Sequence, residues 1–115
     1  MSDGDIILID DDPTQRLVAY RDLKKITTRL IVPETVSHLL TGVDPDTIGL
    51  VIVDRWLGES WHAAADEFLR RVPESVTVWE WTCDEWGTPL NARVQRVIYK
   101  RPGLLLSAVQ EWVEA

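Results

Sequence analysis

The sequence is poor in cysteine, in clustered positive charge and in long apolar runs. Its single cysteine, Cys83, cannot form an internal disulfide, which fits a reducing cytoplasm. Basic residues never run longer than two and the formal net charge is −7. A nucleic-acid backbone as partner is therefore not expected, because it calls for a clustered basic face. Apolar runs stop at four residues, far below the roughly 20 needed to span a bilayer. The opening MSDGDI has neither the basic flank nor the apolar stretch of a secretory leader, so no membrane association is expected either. Internal repeats, low-complexity tracts and long linkers are also missing, so residues 1–115 read as one domain. A chain of that length can bury a core without disulfides or a structural metal.

What is present is an alternation of short β-branched runs with helical-period segments. DIILI at 5–9 reads as a buried strand, and Asp12 and Pro13 read as the cap and first residue of a helix over 13–25. TRLIV at 28–32 is a second strand, followed by a short helix that ends near Gly42. IGLVIVD at 48–54 is the most β-branched run of the chain, and HAAADEFLRRV at 62–72 is helical up to Pro73. SVTVWEW at 75–81 is a strand. A short fourth helix is expected over 89–94 with Thr88 as its cap, and RVIYK at 96–100 is the fifth strand. From Leu105, the apolar spacing of Ala108, Val109, Trp112 and Val113 gives a closing amphipathic helix. Five successive βα units predict an α/β fold, a doubly wound parallel sheet with helices on both faces. The working site of such a sheet lies at the C-terminal edge of its strands.

That edge explains the segment IILIDDDP. Asp10 and Asp11 follow the first strand, Asp54 ends the third, Thr82 ends the fourth, and Lys100, Arg101 and Pro102 end the fifth. Three converging carboxylates repel one another unless a cation joins them. Mg2+ is suited to that role, since it takes a few carboxylates together with water and phosphate oxygens. A neighbouring hydroxyl and a basic side chain would complete a site for a phosphoryl group.

In this order and spacing, ILIDDDP, LVIVD, EWT and YKRPG resemble the receiver domain of two-component response regulators, and the resemblance covers essentially the whole chain. It implies a flavodoxin-like sheet of strand order 2-1-3-4-5. It implies phosphorylation of Asp54 by a sensor histidine kinase or a phosphotransfer protein, with Asp10, Asp11, Asp54 and the carbonyl of Trp56 around Mg2+. Thr82 and a basic residue would then meet the phosphoryl oxygens. It also implies a stand-alone phosphoprotein, assisting its own phosphorylation but not an enzyme on separate substrates. Such a protein signals to another in trans or as a homodimer.

Several positions depart from the family pattern. Aligning Pro102 and the last helix without a gap puts Arg101 at the family's lysine, and strand alternation turns Lys100 away unless a bulge re-aims it. The family's switch aromatic would fall on Ile98, one step from Tyr99. The loop after Asp54 holds Trp56 and Trp61 in place of the usual proline and Asp-Gly pair. Glu80 falls on a central strand and needs a partner, an arginine or a hydroxyl. Six tryptophans exceed the roughly one or two of average usage. Trp79, Trp81 and Trp112 are expected under helices, and Trp56, Trp61 and Trp86 in loops where an interface would use them. Cys83 is expected to be a small buried hydrophobe. These departures keep an alternative open, a receiver-like interaction module independent of phosphorylation. A Mg2+-dependent phosphohydrolase is disfavoured because Trp56 stands where such enzymes carry a second acid.

Overall fold

A computed structural model describes residues 4–83 and 92–115. Its strands are β1 (Asp5–Ile9), β2 (Leu30–Ile31), β3 (Ile48–Asp54), β4 (Thr77–Thr82) and β5 (Arg96–Tyr99). Its helices are α1 (Pro13–Leu23), α2 (Val36–Thr41), α3 (Glu59–Arg71) and α4 (Leu104–Glu114), with a 3-10 turn at Pro45–Thr47. All strand pairs are parallel and the sheet order is β2-β1-β3-β4-β5. The expected helix over 89–94 begins outside the described residues, and residues 92–95 are turn and irregular chain.

Strand alternation sorts the core into two layers. Ile7, Ile9, Val51, Val53 and Val78 face α2 and α3, where they meet Leu39, Ala64, Ala65, Phe68 and Leu69. Ile6, Leu8, Leu50, Ile52, Trp79, Trp81 and Ile98 face α1 and α4, where they meet Ala19, Leu23, Leu105, Ala108 and Val109. The central strands are apolar on both sides because helices cover both faces. Trp112 packs half-buried against the second layer. Truncating the fully buried Phe68 would cost about 3–5 kcal/mol through lost burial and the cavity left behind.

Local chemistry fixes where the helices begin and end. The Asp12 side chain accepts from the Thr14 N–H and Pro13 opens α1, while Thr35 accepts from the His38 N–H at the start of α2. Gly103 adopts φ 82° just before α4, a left-handed conformation that glycine reaches without a Cβ clash. Carbonyls in and just past the last turn of α3 are taken up by Arg93, which donates to Leu69 O, to Val72 O at 3.1 Å and to Pro73 O at 2.7 Å. One arginine thereby ties the chain entering β5 to the end of α3.

One residue differs from expectation in this frame and another meets it. Cys83 is exposed, not buried, because β4 ends at Thr82 and the next residue has left the sheet. Glu80 is buried as expected of a central strand, and its partner is an arginine, Arg55, in an ion pair buried on both sides.

Candidate functional site

The chain runs from β1 outward to β2 and then returns to β3 on the other side of β1. The reversal leaves a crevice at the C-terminal ends of β1 and β3. Asp10 and Asp11 leave β1 and Asp54 closes β3, so the topology delivers all three acids to that crevice. Their ligand-capable oxygens lie within 4.8 Å of one another. Asp10 and Asp54 are buried, and Asp11 is half-exposed at the rim.

Each carboxylate is held by the backbone. Asp10 Oδ1 accepts from the Asp12 N–H at 3.0 Å, Asp54 Oδ1 from the Trp56 N–H at 3.2 Å, and Asp11 Oδ2 from the Gly58 N–H at 2.8 Å. The Gly58 contact is close enough that a Cβ there would stand 3.2 Å from Asp11 Oδ2. Gly58 thus lets the loop after β3 approach the loop after β1.

The two basic candidates part company. Lys100 Nζ lies 3.2 Å from Asp10 Oδ2 and 3.3 Å from Asp54 Oδ2. Arg101 is exposed, with its guanidinium 5.8 Å from the centre of the Tyr99 ring. The gap-free alignment had set Arg101 at the basic position, whereas the geometry brings Lys100 to the acids. β5 stops at Tyr99, the Lys100 N–H donates to Thr82 O at 2.8 Å, and the Arg101 N–H turns back to Tyr99 O at 2.8 Å. Ile98 pairs with Trp81 on the α1 and α4 side, and Lys100, two residues further on, reaches that same side, so the parity that the gap-free alignment gave to Arg101 belongs to Lys100.

Thr82 closes β4, fully buried, one residue beyond Trp81, the register partner of Asp54. Trp56 exposes its side chain to solvent and turns its N–H to Asp54. Trp61 packs half-buried against the α3-side core, with the Arg16 guanidinium 5.9 Å from its ring centre.

Burial pushes the Asp54 carboxyl up to about 6, and the neighbouring Asp10 charge adds to the rise. Lys100 and the Trp56 N–H oppose it. Asp54 is therefore poised to gain or lose a proton near neutrality, unlike an ordinary solvated carboxylate.

An all-oxygen set of this kind suits a hard divalent cation. Mg2+ at about 2.1 Å from each oxygen spans about 4.2 Å between opposite ligands, so a small side-chain adjustment, or a water at one position, accommodates it. The three acids fit the ion, and Lys100 is the positive charge it would have to share them with.

Sequence reasoning did not reach three other participants. The Arg16 side chain donates to Asp10 O at 3.0 Å, Arg55 pairs with Glu80 directly after Asp54 at the end of β3, and the Trp81 ring lies under Lys100. Only Glu80 gave a signal in advance, as a charge on a strand that had to be buried.

No family model matches the sequence and no curated protein matches it significantly. Solved structures do match. One is a pilus assembly protein, CpaE, of Burkholderia thailandensis E264, with TM-score 0.71 and 16% identity over 97% of this chain and 99% of that one. Another is a CheY-like response regulator receiver domain protein of Methanospirillum hungatei JF-1, with TM-score 0.67 and 16% identity over 96% of this chain and 93% of that one. This chain has the receiver fold. At such identity the likeness concerns the backbone. In this chain Arg101 stands between Pro102 and the lysine that reaches the acids, and the Trp81 ring lies beneath that lysine.

Proposed function

We propose that the protein is a receiver that accepts a phosphoryl group on Asp54 in a Mg2+-dependent reaction. The observation that carries this reading is the meeting of Asp10, Asp11 and Asp54 within 4.8 Å, with the Lys100 ammonium 3.3 Å from the acceptor carboxylate. An Asp54 oxygen attacks the phosphorus of a phosphohistidine on a sensor kinase or phosphotransfer protein, or of a small phosphodonor. The P–N or P–O bond to the donor breaks, the leaving group takes up a proton, and Asp54 becomes an acyl phosphate. Asp10, Asp11 and Asp54 with the Trp56 carbonyl would hold Mg2+, which would supply charge neutralisation for the phosphoryl oxygens. Lys100 pairs with one of those oxygens, and Thr82, from the neighbouring strand end, donates to another. Arg101 is left outside this set, because it stacks on Tyr99 at the surface.

The modified loops would then pass the change to a protein in trans or to a second copy of the chain in the cytoplasm. The net charge of −7 supports a protein partner over a nucleic acid. No helix among the described residues is long and apolar enough to cross a membrane.

Incubation with Mg2+ and acetyl phosphate is expected to add one phosphoryl group by mass, and Asp54→Asn to abolish the gain. Absence of any gain, with no response to Mg2+ and beryllofluoride, overturns the reading.

A second reading is favoured by one observation. Lys100 already contacts both Asp10 and Asp54, so the acids have a counter-charge without an ion, as a phosphorylation-independent interaction module would need. The fold neighbour described as a pilus assembly protein is compatible with that role. Partner binding that survives Asp54→Asn would support it.

A further inference from the structure

We propose that Trp81 is a positioning residue that holds the Lys100 ammonium at Asp54 through a cation–π contact, an inference that rests on the acceptor reading for its consequence but not for its geometry. Lys100 Nζ lies 4.5 Å from the centre of the Trp81 ring, within the roughly 6 Å over which an ammonium is attracted to an indole face. The same nitrogen touches Asp10 Oδ2 and Asp54 Oδ2 at 3.2 and 3.3 Å. Two carboxylates and one aromatic face therefore surround a cation whose side chain is 15% exposed.

The register explains how the ring comes to be there. Asp54 pairs with Trp81 across β3 and β4, and Trp81 pairs with Ile98 across β4 and β5. Register partners in a parallel sheet point to the same face, so the indole stands beside the acceptor side chain on the α1 and α4 side. Lys100 reaches that side from the turn after β5. Without a wall, a lysine stem with four rotatable carbons would spread its ammonium over many rotamers. Burial makes the wall matter more, because cation–π attraction strengthens when the cation is desolvated.

Trp81 Nε1 is buried with no hydrogen-bond partner among the described residues. The indole N–H thus contributes no fixed link that would explain the residue, and its π face is what meets the charged neighbour. A phenylalanine would keep a π face and lose that unpartnered donor; a leucine would keep apolar bulk and lose the π face.

Two measurements decide the proposal. In the NMR spectrum of the wild-type protein, the ε-methylene protons of Lys100 are expected upfield of ordinary lysine positions, because they lie in the shielding cone of the indole. Ordinary shifts there overturn the proposal without any variant and without reference to phosphorylation. Beryllofluoride affinity in Mg2+ is expected to fall about threefold to tenfold in Trp81→Leu, the range corresponding to a cation–π contact. Trp81→Phe is expected to recover most of the loss. In a Lys100→Met background, Trp81→Leu is expected to cause no further loss. Equal losses from Trp81→Leu with and without Lys100, or a Phe variant no better than Leu, mean that Trp81 only fills space, and the proposal falls. A Leu variant that does not fold leaves the decision to the Phe variant and the wild-type shift. If the wild type binds no beryllofluoride, it is the acceptor reading that fails, while the lysine shift still decides whether Trp81 holds Lys100.

Discussion

Arg55 and Glu80 form an ion pair buried on both sides, one residue along the chain from Asp54. The pair crosses from the end of β3 to β4 and lies on the sheet face covered by α3. Removing one member takes from the other its buried counter-charge, whereas removing both removes the two charges together. Glu80→Leu alone is expected to lower stability by about 3–5 kcal/mol in urea unfolding. Combination with Arg55→Met is expected to recover much of that loss. Additive losses in the double variant would show that the pair does not act as a unit.

Lys100 gives a second prediction. Its ammonium shares Asp10 and Asp54 with any bound cation. Lys100→Met is expected to tighten Mg2+ binding by about tenfold, equivalent to about 1.4 kcal/mol, while weakening beryllofluoride binding. Arg101→Met is expected to change neither by more than about twofold, since Arg101 stacks on Tyr99 outside the cluster. Calorimetric titration with Mg2+ checks both variants.

Acidity gives a third. The Asp54 carboxyl stands at about 6 in the fold against an ordinary value of 3.8, so the folded state binds its proton more tightly than the unfolded state. The stabilisation this provides is complete below about pH 4 and is lost as pH rises through about 6. The Mg2+-free protein is thus expected to gain about 1 kcal/mol or more from Asp54 on going from pH 7.5 to pH 5. Mg2+ requires the ionised carboxylate, and its affinity is expected to fall below pH 6. The Asp54→Asn variant should lose the first dependence. Denaturant midpoints across the pH range, with and without Mg2+, test both signs.

Arg93 gives a fourth. Its guanidinium takes up one carbonyl in the last turn of α3 and two just past it. Arg93→Ala is expected to cost about 1–3 kcal/mol, through carbonyls left without their donor, and to speed amide exchange in the last turn of α3. Unchanged exchange there would show that water replaces the guanidinium without loss.

The strands were legible in the sequence where burial leaves a one-dimensional trace. IILI and LVIV are apolar at every position because helices cover both faces, and each runs directly into aspartate where the sheet meets solvent. Alternation also placed Trp79 and Trp81 opposite Glu80. The start of α3 at Glu59 was missed by three residues, because Glu59 and Ser60 carry no apolar period. The reach of Lys100 was hidden for a different reason. The gap-free alignment on Pro102 gave the site parity to Arg101, whereas the pairing of Ile98 with Trp81 gives it to Lys100. The need of Glu80 for a partner was visible, but Arg55 lies 25 positions away, and only the sheet register brings the two together. Cys83 was misplaced by assuming that the surroundings of Thr82 extend one residue past the strand.

The indoles at 56 and 81 differ sharply in shelter, 60% exposed against 6%, although both are close in sequence or register to Asp54. Iodide in solution should reach the first and not the second. In a variant that keeps only these two of the six tryptophans, emission should divide into a quenchable part that reports on the rim and a shielded part that reports on the lysine, giving two optical readings of one site.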